Sequence, residues 1–449
     1  MTERLFGTNG VRGIINQDMT AQLTLDLGKA IGTFMGGTVA LASDTRTSGH
    51  MLRSAVSAGM TSVGAEVVDL GMMPTPALQF YVKRNDVSGG VMITASHNPP
   101  EFNGIKCIDS DGTEMPREKE ERIERIYFQG GFALKGWDQV GQILPRPGAT
   151  HSYSRAVQAQ VDGRAIAEAD LTVILDCANG AGSVVTPDLL DALGVRAITL
   201  NSNPQGSFPG HFSEPTPENL EGLISAVRGS SASLGIAHDG DADRTIFVDE
   251  NGSYVYGDKT LALVSREMVR EEGGTVVTPV SSSSCVADVV REQGGELVYT
   301  QVGAPVVARK MMEIGATFGG EENGGLIFPS HQYCRDGAMA AVKVLEIVAR
   351  NGPLSRLLST IPDYFLDKRK VECPEGKKSG ILARLEGEDL EGEVETTDGV
   401  KVFFEDGWTL IRPSGTEPIV RIYSEGRTRE AAQAHGREFE ALVKRLLEQ

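Results

Sequence analysis

What most restricts the fold is an alternation that runs through the first three quarters of the chain. Short apolar runs, each ended by a polar or glycine-rich turn, are separated by stretches with helical spacing. Residues 38–42 and 65–70 read as buried strands on either side of a helical stretch at 51–62, and the run 90–94 follows a second helical stretch at 77–84. A parallel neighbour needs a crossover long enough to hold a helix, so strands alternating with helices imply βαβ units and a mostly parallel sheet. The cycle restarts at 171–176 and 233–237, and again at 275–278, 296–299 and 316–318. Near residue 365 the pattern changes. Residues 401–404 and 409–412 read as strands paired across Glu405-Asp406-Gly407, 419–424 as a third strand, and 428–447 as a helix. The stretch 374–398, rich in Glu, Gly and Lys, reads as exposed. The expected fold class is α/β, with three similar α/β domains at 1–150, 151–250 and 251–365 and a smaller α+β domain at 366–449.

Bulk properties narrow the partners. A 40% hydrophobic fraction over 449 residues supports a sizeable core. The net charge of −18 argues against nucleic acid or an anionic membrane as partner, since both need a basic face. If the substrate is itself anionic, Lys and Arg must be concentrated locally against that field. The five cysteines, Cys107, Cys177, Cys285, Cys334 and Cys373, are scattered and form no CxxC pair, which reads as buried reduced thiols rather than a disulfide framework or zinc site. No run approaches the roughly 18 apolar residues of a membrane span. The opening MTERLFGTNG lacks the apolar core of a signal peptide, so a cytoplasmic location is expected.

Four segments carry possible chemistry. TASHNPP (94–100) puts Ser96 at the end of a strand, where the motif taken alone fits a plain polar turn better than a nucleophile. HDGDADR (238–244) sets Asp239, Asp241 and Asp243 at alternate positions. A tight loop can converge them on one hard cation such as magnesium; otherwise they form a solvated acidic turn. An EF-hand is disfavoured because Arg244 stands where its glycine belongs. RPSGTEPIVR (412–421) offers Ser414, Gly415 and Thr416 as donors between Arg412 and Arg421, either a phosphate nest or a surface turn. GGEENGG (319–325) places Glu321 among glycines, a sugar-hydroxyl acceptor or an ordinary glycine loop. Arg12 in FGTNGVRG and Arg46 in SDTRTS read as possible salt-bridge partners. A nucleophile, a metal loop, a phosphate nest and a hydroxyl-binding loop together are what phosphoryl transfer to a sugar requires.

With these motifs in this order, the chain resembles the α-D-phosphohexomutase superfamily over nearly its whole length. The resemblance implies four domains around a central cleft, the first three with mixed sheets. It implies that Ser96 carries a phosphate, that Asp239, Asp241 and Asp243 with Ser96 hold one Mg2+ per subunit, and that Arg244 lies beside the phosphoserine. It casts Arg12 and Lys106 as the groups handling protons, with His97 in support. Glu321 and Asn323 would bind sugar hydroxyls, and Arg412, Ser414, Gly415, Thr416 and Arg421 the phosphate that is not reacting. The implied partner is a phosphorylated hexose or hexosamine, with a hexose 1,6-bisphosphate as intermediate and activator. Among glucosamine, mannose and glucose phosphates, the opening LFGTNGVRG is similar to the glucosamine branch. Four positions depart from the usual pattern: Asn323 for Ser and Gly325 for His in the sugar loop, Gln301 for Lys, and Ser43 for the basic residue before Asp44-Thr45-Arg46. A phosphatase and a non-catalytic sugar-phosphate sensor are the rival classes, and the oligomeric state is left open.

Overall fold

The computed structural model describes residues 4–448 except Thr8, Asp389 and 415–417. The chain divides into two compact units, Met1–Thr260 with Asn323–Leu358, and Leu261–Glu322 with Ser359–Gln449.

The first unit holds two mixed sheets. One has six strands in the order Val11–Ile14, Phe102–Ile108, Gly89–Ile93, Thr38–Ser43, Glu66–Met72, Ile143–Pro145. Its central strands are parallel, and Phe102–Ile108 runs antiparallel to both of its neighbours. Gly89–Ile93 is buried along its whole length, as expected for an apolar run covered on both faces. The other sheet has five strands, Tyr254–Val255, Thr245–Asp249, Leu234–His238, Thr172–Asp176, Arg196–Leu200. Its inner strand Leu234–His238 is likewise fully buried. In both sheets a buried central strand therefore delivers a motif loop at its carboxyl end, where α/β folds build their sites.

The same unit contains the antiparallel strands Gly325–Phe328 and Gln332–Arg335 and the helix Gly337–Asn351. The third expected domain is thus shared between the units. The reason is local. Asp336 accepts from the Tyr153 hydroxyl at 2.6 Å, and the Gly337 amide donates to Ala242 at 3.2 Å, tying the start of the helix to the first unit.

In the second unit, Thr275–Pro279 pairs in parallel with Glu296–Thr300 and with Phe318–Glu321. A separate antiparallel sheet runs Phe365–Glu372, Ile419–Gly426, Gly407–Pro413, Val400–Phe404, Glu393–Glu395. The helix Arg429–Glu448 contributes Phe439, Val443 and Leu446 to its core. Two expectations need correction. The stretch 374–398 is not simply exposed: Lys378–Glu386 is a helix whose Ile381 and Leu385, one turn apart, are buried. Glycines 319 and 320 are strand rather than loop, because the strand beginning at Phe318 runs on to Glu321. All five cysteines are buried thiols outside any disulfide.

Candidate active site

Ser96 follows directly on the buried strand Gly89–Ile93 and adopts φ +52°, the left-handed region that a residue with a Cβ enters only when its surroundings compel it. Those surroundings are specific. The Ser96 amide donates to Thr94 Oγ1 at 2.8 Å, and the Thr94 hydroxyl donates to Asp44 Oδ2 at 2.6 Å. Arg46, buried and paired with Asp44, donates to the carbonyls of Ser96, Asn98, Pro99 and Phe102 at 2.6–2.9 Å. One guanidinium thus fixes the entire loop. The SDTRTS motif alone marks Arg46 only as a possible salt-bridge partner.

The aspartate loop meets this serine. Ser96 Oγ donates to Asp239 Oδ2 at 2.9 Å, across a separation of 143 residues. Gly240 permits the approach: a Cβ there would lie 2.4 Å from the Ser96 carbonyl oxygen. Asp239, Asp241 and Asp243 are all buried, so the solvated-turn alternative falls away. Their oxygens lie within 4.8 Å of one another. At an effective dielectric of about 20, like charges that close repel by roughly 3 kcal/mol per pair. Cations relieve part of this. Lys106 Nζ donates to Asp241 at 2.8 Å and Asp243 at 3.3 Å, and Arg335 donates to Asp243 at 2.6 Å. Thr75 adds a hydroxyl bond to Asp241 at 2.6 Å.

The titration pattern follows from this balance. Burial, then repulsion from Asp241 and Asp243, pushes the Asp239 carboxyl up to about 8. For Asp241 burial acts upward too, but Lys106, Thr75 and Arg12 outweigh it and hold the carboxyl below its usual range. Burial first, and then Arg244 and Arg12, press His97 down to about 3, so its imidazole is neutral 3.3 Å from Ser96 Oγ. Burial also lowers Arg12, which donates to Asn98 Oδ1 at 3.1 Å. Lys106 is raised: burial opposes its charge, but Asp241 and Asp243 prevail. A part for Lys106 in proton handling therefore requires that it let go of that pair. Arg244 Nε stands 3.9 Å from Asp239 and 3.8 Å from Asp243.

The residues suit a magnesium ion. Asp241 Oδ1 and Asp243 Oδ1 are buried with no hydrogen-bond partner among the described residues, and all three donors are hard carboxylate oxygens. Arg12, Lys106, Arg244 and Arg335 surround the triad, which answers how an anion is bound by a chain of net charge −18.

The first unit thus gathers Ser96, His97, Arg12, Lys106, Arg244 and the three aspartates; sequence reasoning missed Thr75 and Arg335 there. Asn323, also in this unit, accepts the Gly325 amide at 3.1 Å. Glu321, Arg412, Ser414 and Arg421 belong to the second unit. Arg412 and Arg421 are directly opposed in neighbouring antiparallel strands, a like-charge pairing that is unfavourable without an anion. Asp398 takes part of the charge, 2.9 Å from Arg412. The Ser414 carbonyl accepts from Lys378 at 2.6 Å. Buried Glu321 ends its strand beside Glu322, whose carboxyl is raised by burial and by Glu321. Gly415 and Thr416 lie outside the described residues.

Comparison with known proteins agrees along the chain. Residues 3–134, 151–252 and 256–365 match the family domains described as phosphoglucomutase/phosphomannomutase, alpha/beta/alpha domains I, II and III, and residues 369–441 match its C-terminal domain. The chain is 41% identical to a phosphoglucomutase/phosphomannomutase of Thermococcus kodakarensis, over 99% of both chains. It is 43% identical, again over 99% of both, to a protein of Methanopyrus kandleri named "Probable phosphoglucosamine mutase". A solved phosphoglucomutase/phosphomannomutase family protein from Burkholderia thailandensis is similar with a TM-score of 0.90 and 28% identity, covering 98% of this chain and 97% of that one.

Proposed function

The chain belongs to the phosphoglucomutase/phosphomannomutase family, and from that premise we propose that it interconverts glucosamine 6-phosphate and glucosamine 1-phosphate through a phosphorylated Ser96. Members are isomerases of phosphosugars, and this chain is a phosphohexomutase. The family is generally Mg2+-dependent, in keeping with the buried aspartate triad.

One observation carries the assignment to Ser96: its Oγ lies 2.9 Å from Asp239, at the edge of the only cluster of three close acidic or metal-ligating side chains among the described residues. In the forward reaction the bond between phosphorus and Ser96 Oγ breaks as phosphorus bonds to the free sugar hydroxyl, giving a 1,6-bisphosphate. Handling of the hydroxyl proton is assigned to Arg12 and Lys106, which stand beside the aspartate triad. Arg244 steadies charge on the phosphoserine, and neutral His97 hydrogen-bonds Ser96 Oγ. The bisphosphate then turns over, and its other phosphate returns to Ser96 as the second sugar–phosphate bond breaks. Asp239, Asp241 and Asp243 with an oxygen of Ser96 would hold one Mg2+, which when bound offsets charge on the transferring group. Arg412, Ser414, Gly415, Thr416 and Arg421 grip the phosphate that is not reacting, and Glu321 and Asn323 contact the sugar hydroxyls.

The choice of hexosamine rests on LFGTNGVRG and on the names of several relatives. The Thermococcus relative favours a second reading, mannose and glucose phosphates. The test compares turnover of glucosamine, mannose and glucose 6-phosphates, each primed with its own bisphosphate, while inorganic phosphate is followed. Glucosamine 6-phosphate should give the highest kcat/KM. A tenfold preference for another hexose would reject the hexosamine, and phosphate appearing faster than isomer would mark a phosphatase.

A further inference from the structure

One side chain in the first unit's site has no counterpart in the motifs. Arg335 ends the strand Gln332–Arg335 and is directly opposite Ile327 in the neighbouring strand. Gly325 lies two residues before Ile327 and so shares its face, diagonal to Arg335 and within reach of a long side chain. The guanidinium stem uses that space. A Cβ on Gly325 would sit 2.2 Å from Arg335 Cδ and 2.9 Å from Cγ, the middle of the stem rather than its far end, and 3.0 Å from Asn323 Oδ1. Glycine at 325 is therefore a condition for the path Arg335 takes.

That path ends on Asp243. Arg335, 6% exposed, donates to Oδ2 at 2.6 Å, while Oδ1 of the same carboxylate has no hydrogen-bond partner among the described residues. The backbone around Arg335 is tied to the aspartate loop itself. The Gly337 amide donates to the Ala242 carbonyl at 3.2 Å, and the Thr245 hydroxyl donates to the Gly337 carbonyl at 2.7 Å. Next to Arg335, Asp336 caps the helix Gly337–Asn351 through the Met339 amide at 2.9 Å and accepts from Gln332 at 2.8 Å. The guanidinium is thus delivered from a fixed base, and its planar fork sends one N–H to Oδ2, the oxygen that Lys106 also reaches at 3.3 Å, so that both cations hold one side of the carboxylate and leave Oδ1 on the other.

We propose that Arg335 is a positioning residue that turns Oδ1 of Asp243, which accepts no hydrogen bond among the described residues, toward the cation, and that glycine stands at 325 in this chain to let Arg335 through. The inference rests on the triad being a cation site, and it assigns to Gly325 a purpose other than loop flexibility. It also bears on sign. As a positive charge beside the site, Arg335 by Coulomb repulsion alone would weaken cation binding. As an orienting partner it strengthens binding, as outer-shell partners of metal ligands generally do.

The experiment titrates Mn2+ into the full chain without substrate, read by paramagnetic resonance of free Mn2+. It uses the parent, Arg335→Ala, Arg335→Lys, Gly325→Ala, the double variant Gly325→Ala with Arg335→Ala, and Asp241→Asn as the site control. Thermal unfolding of each variant is followed in parallel. The expected loss for Arg335→Ala is about 10–100-fold in Mn2+ affinity. Arg335→Lys, which keeps the charge but not the fork, should fall between. Gly325→Ala should weaken binding in the same direction, and the double variant should be no weaker than the worse single one, because both remove one interaction. Affinity that is unchanged or tighter in Arg335→Ala overturns the inference alone, as do fully additive losses. If Arg335→Ala does not fold, the Gly325→Ala and Arg335→Lys titrations decide, and parental affinity in both overturns it. A parent that binds no Mn2+, or an Asp241→Asn variant that binds like the parent, overturns the cation site and this inference with it.

Discussion

The serine loop and the aspartate loop leave their strands in the same way and differ in where the charges that hold them act. Each follows a fully buried central strand, and each contains a non-glycine residue in the left-handed region, Ser96 at φ +52° and Ala242 at φ +54°. The serine loop is gripped through its backbone: Arg46 binds four of its carbonyls, and nothing in that grip depends on the charge of the Ser96 side chain. The aspartate loop has backbone ties too, the Asp241 and Ala242 carbonyls accepting the Thr75 and Gly337 amides at 3.0 and 3.2 Å, but charge enters its hold only through its side chains, by Lys106 and Arg335 on the carboxylates, with the Thr75 hydroxyl beside them. On the proposed mechanism, a residue that gains and loses a phosphate would thereby be insulated from its own charge changes, whereas a loop proposed to bind a cation is balanced by charges.

Four substitutions sharpen or break this contrast, the largest effect first. Ser96→Ala removes the nucleophile and leaves the backbone grip intact; kcat should fall by about 10^4-fold or more while the unfolding temperature stays near that of the parent. Activity within tenfold of the parent would remove Ser96 from the chemistry. Arg46→Met strips the serine loop of its buried cation and leaves Asp44 unpaired. About 3–5 kcal/mol of stability should be lost in denaturant titration, since breaking a buried pair exposes the cost of the partner left behind. A loss under about 1 kcal/mol would mean the loop holds itself. Asp241→Asn should weaken Mn2+ binding by tenfold or more with a much smaller change in stability, the inverse of Arg46→Met; an unchanged titration takes Asp241 out of the cation site. Arg421→Ala lies in the other unit and should raise KM by about tenfold with little change in kcat, as expected for a contact made equally in ground and transition states. A KM like the parent's would argue against the phosphate grip.

How far the sequence speaks follows the same division. TASHNPP and HDGDADR were legible because the reacting groups themselves form the pattern and each motif ends a readable apolar strand. Arg46, Thr75 and Arg335 were not, because what they do is set by contacts 50, 166 and 92 residues away in the chain. The strand Phe365–Glu372 was missed for a related reason. Its sequence FLDKRKVE has four consecutive charged residues at its centre, and its pairing with Ile419–Gly426, rather than any apolar pattern, makes it a strand. Gly325 was visible only as a departure from a familiar loop. The position of Arg335 gives that departure a physical cause.

The account depends most on where phosphate resides between turnovers. Incubating the protein with glucosamine 1,6-bisphosphate carrying labelled phosphorus, quenching, and mapping the peptides should place the label on the peptide containing Ser96 and nowhere else. Isomerisation that proceeds with no label on Ser96, or with label on another residue, would contradict the account.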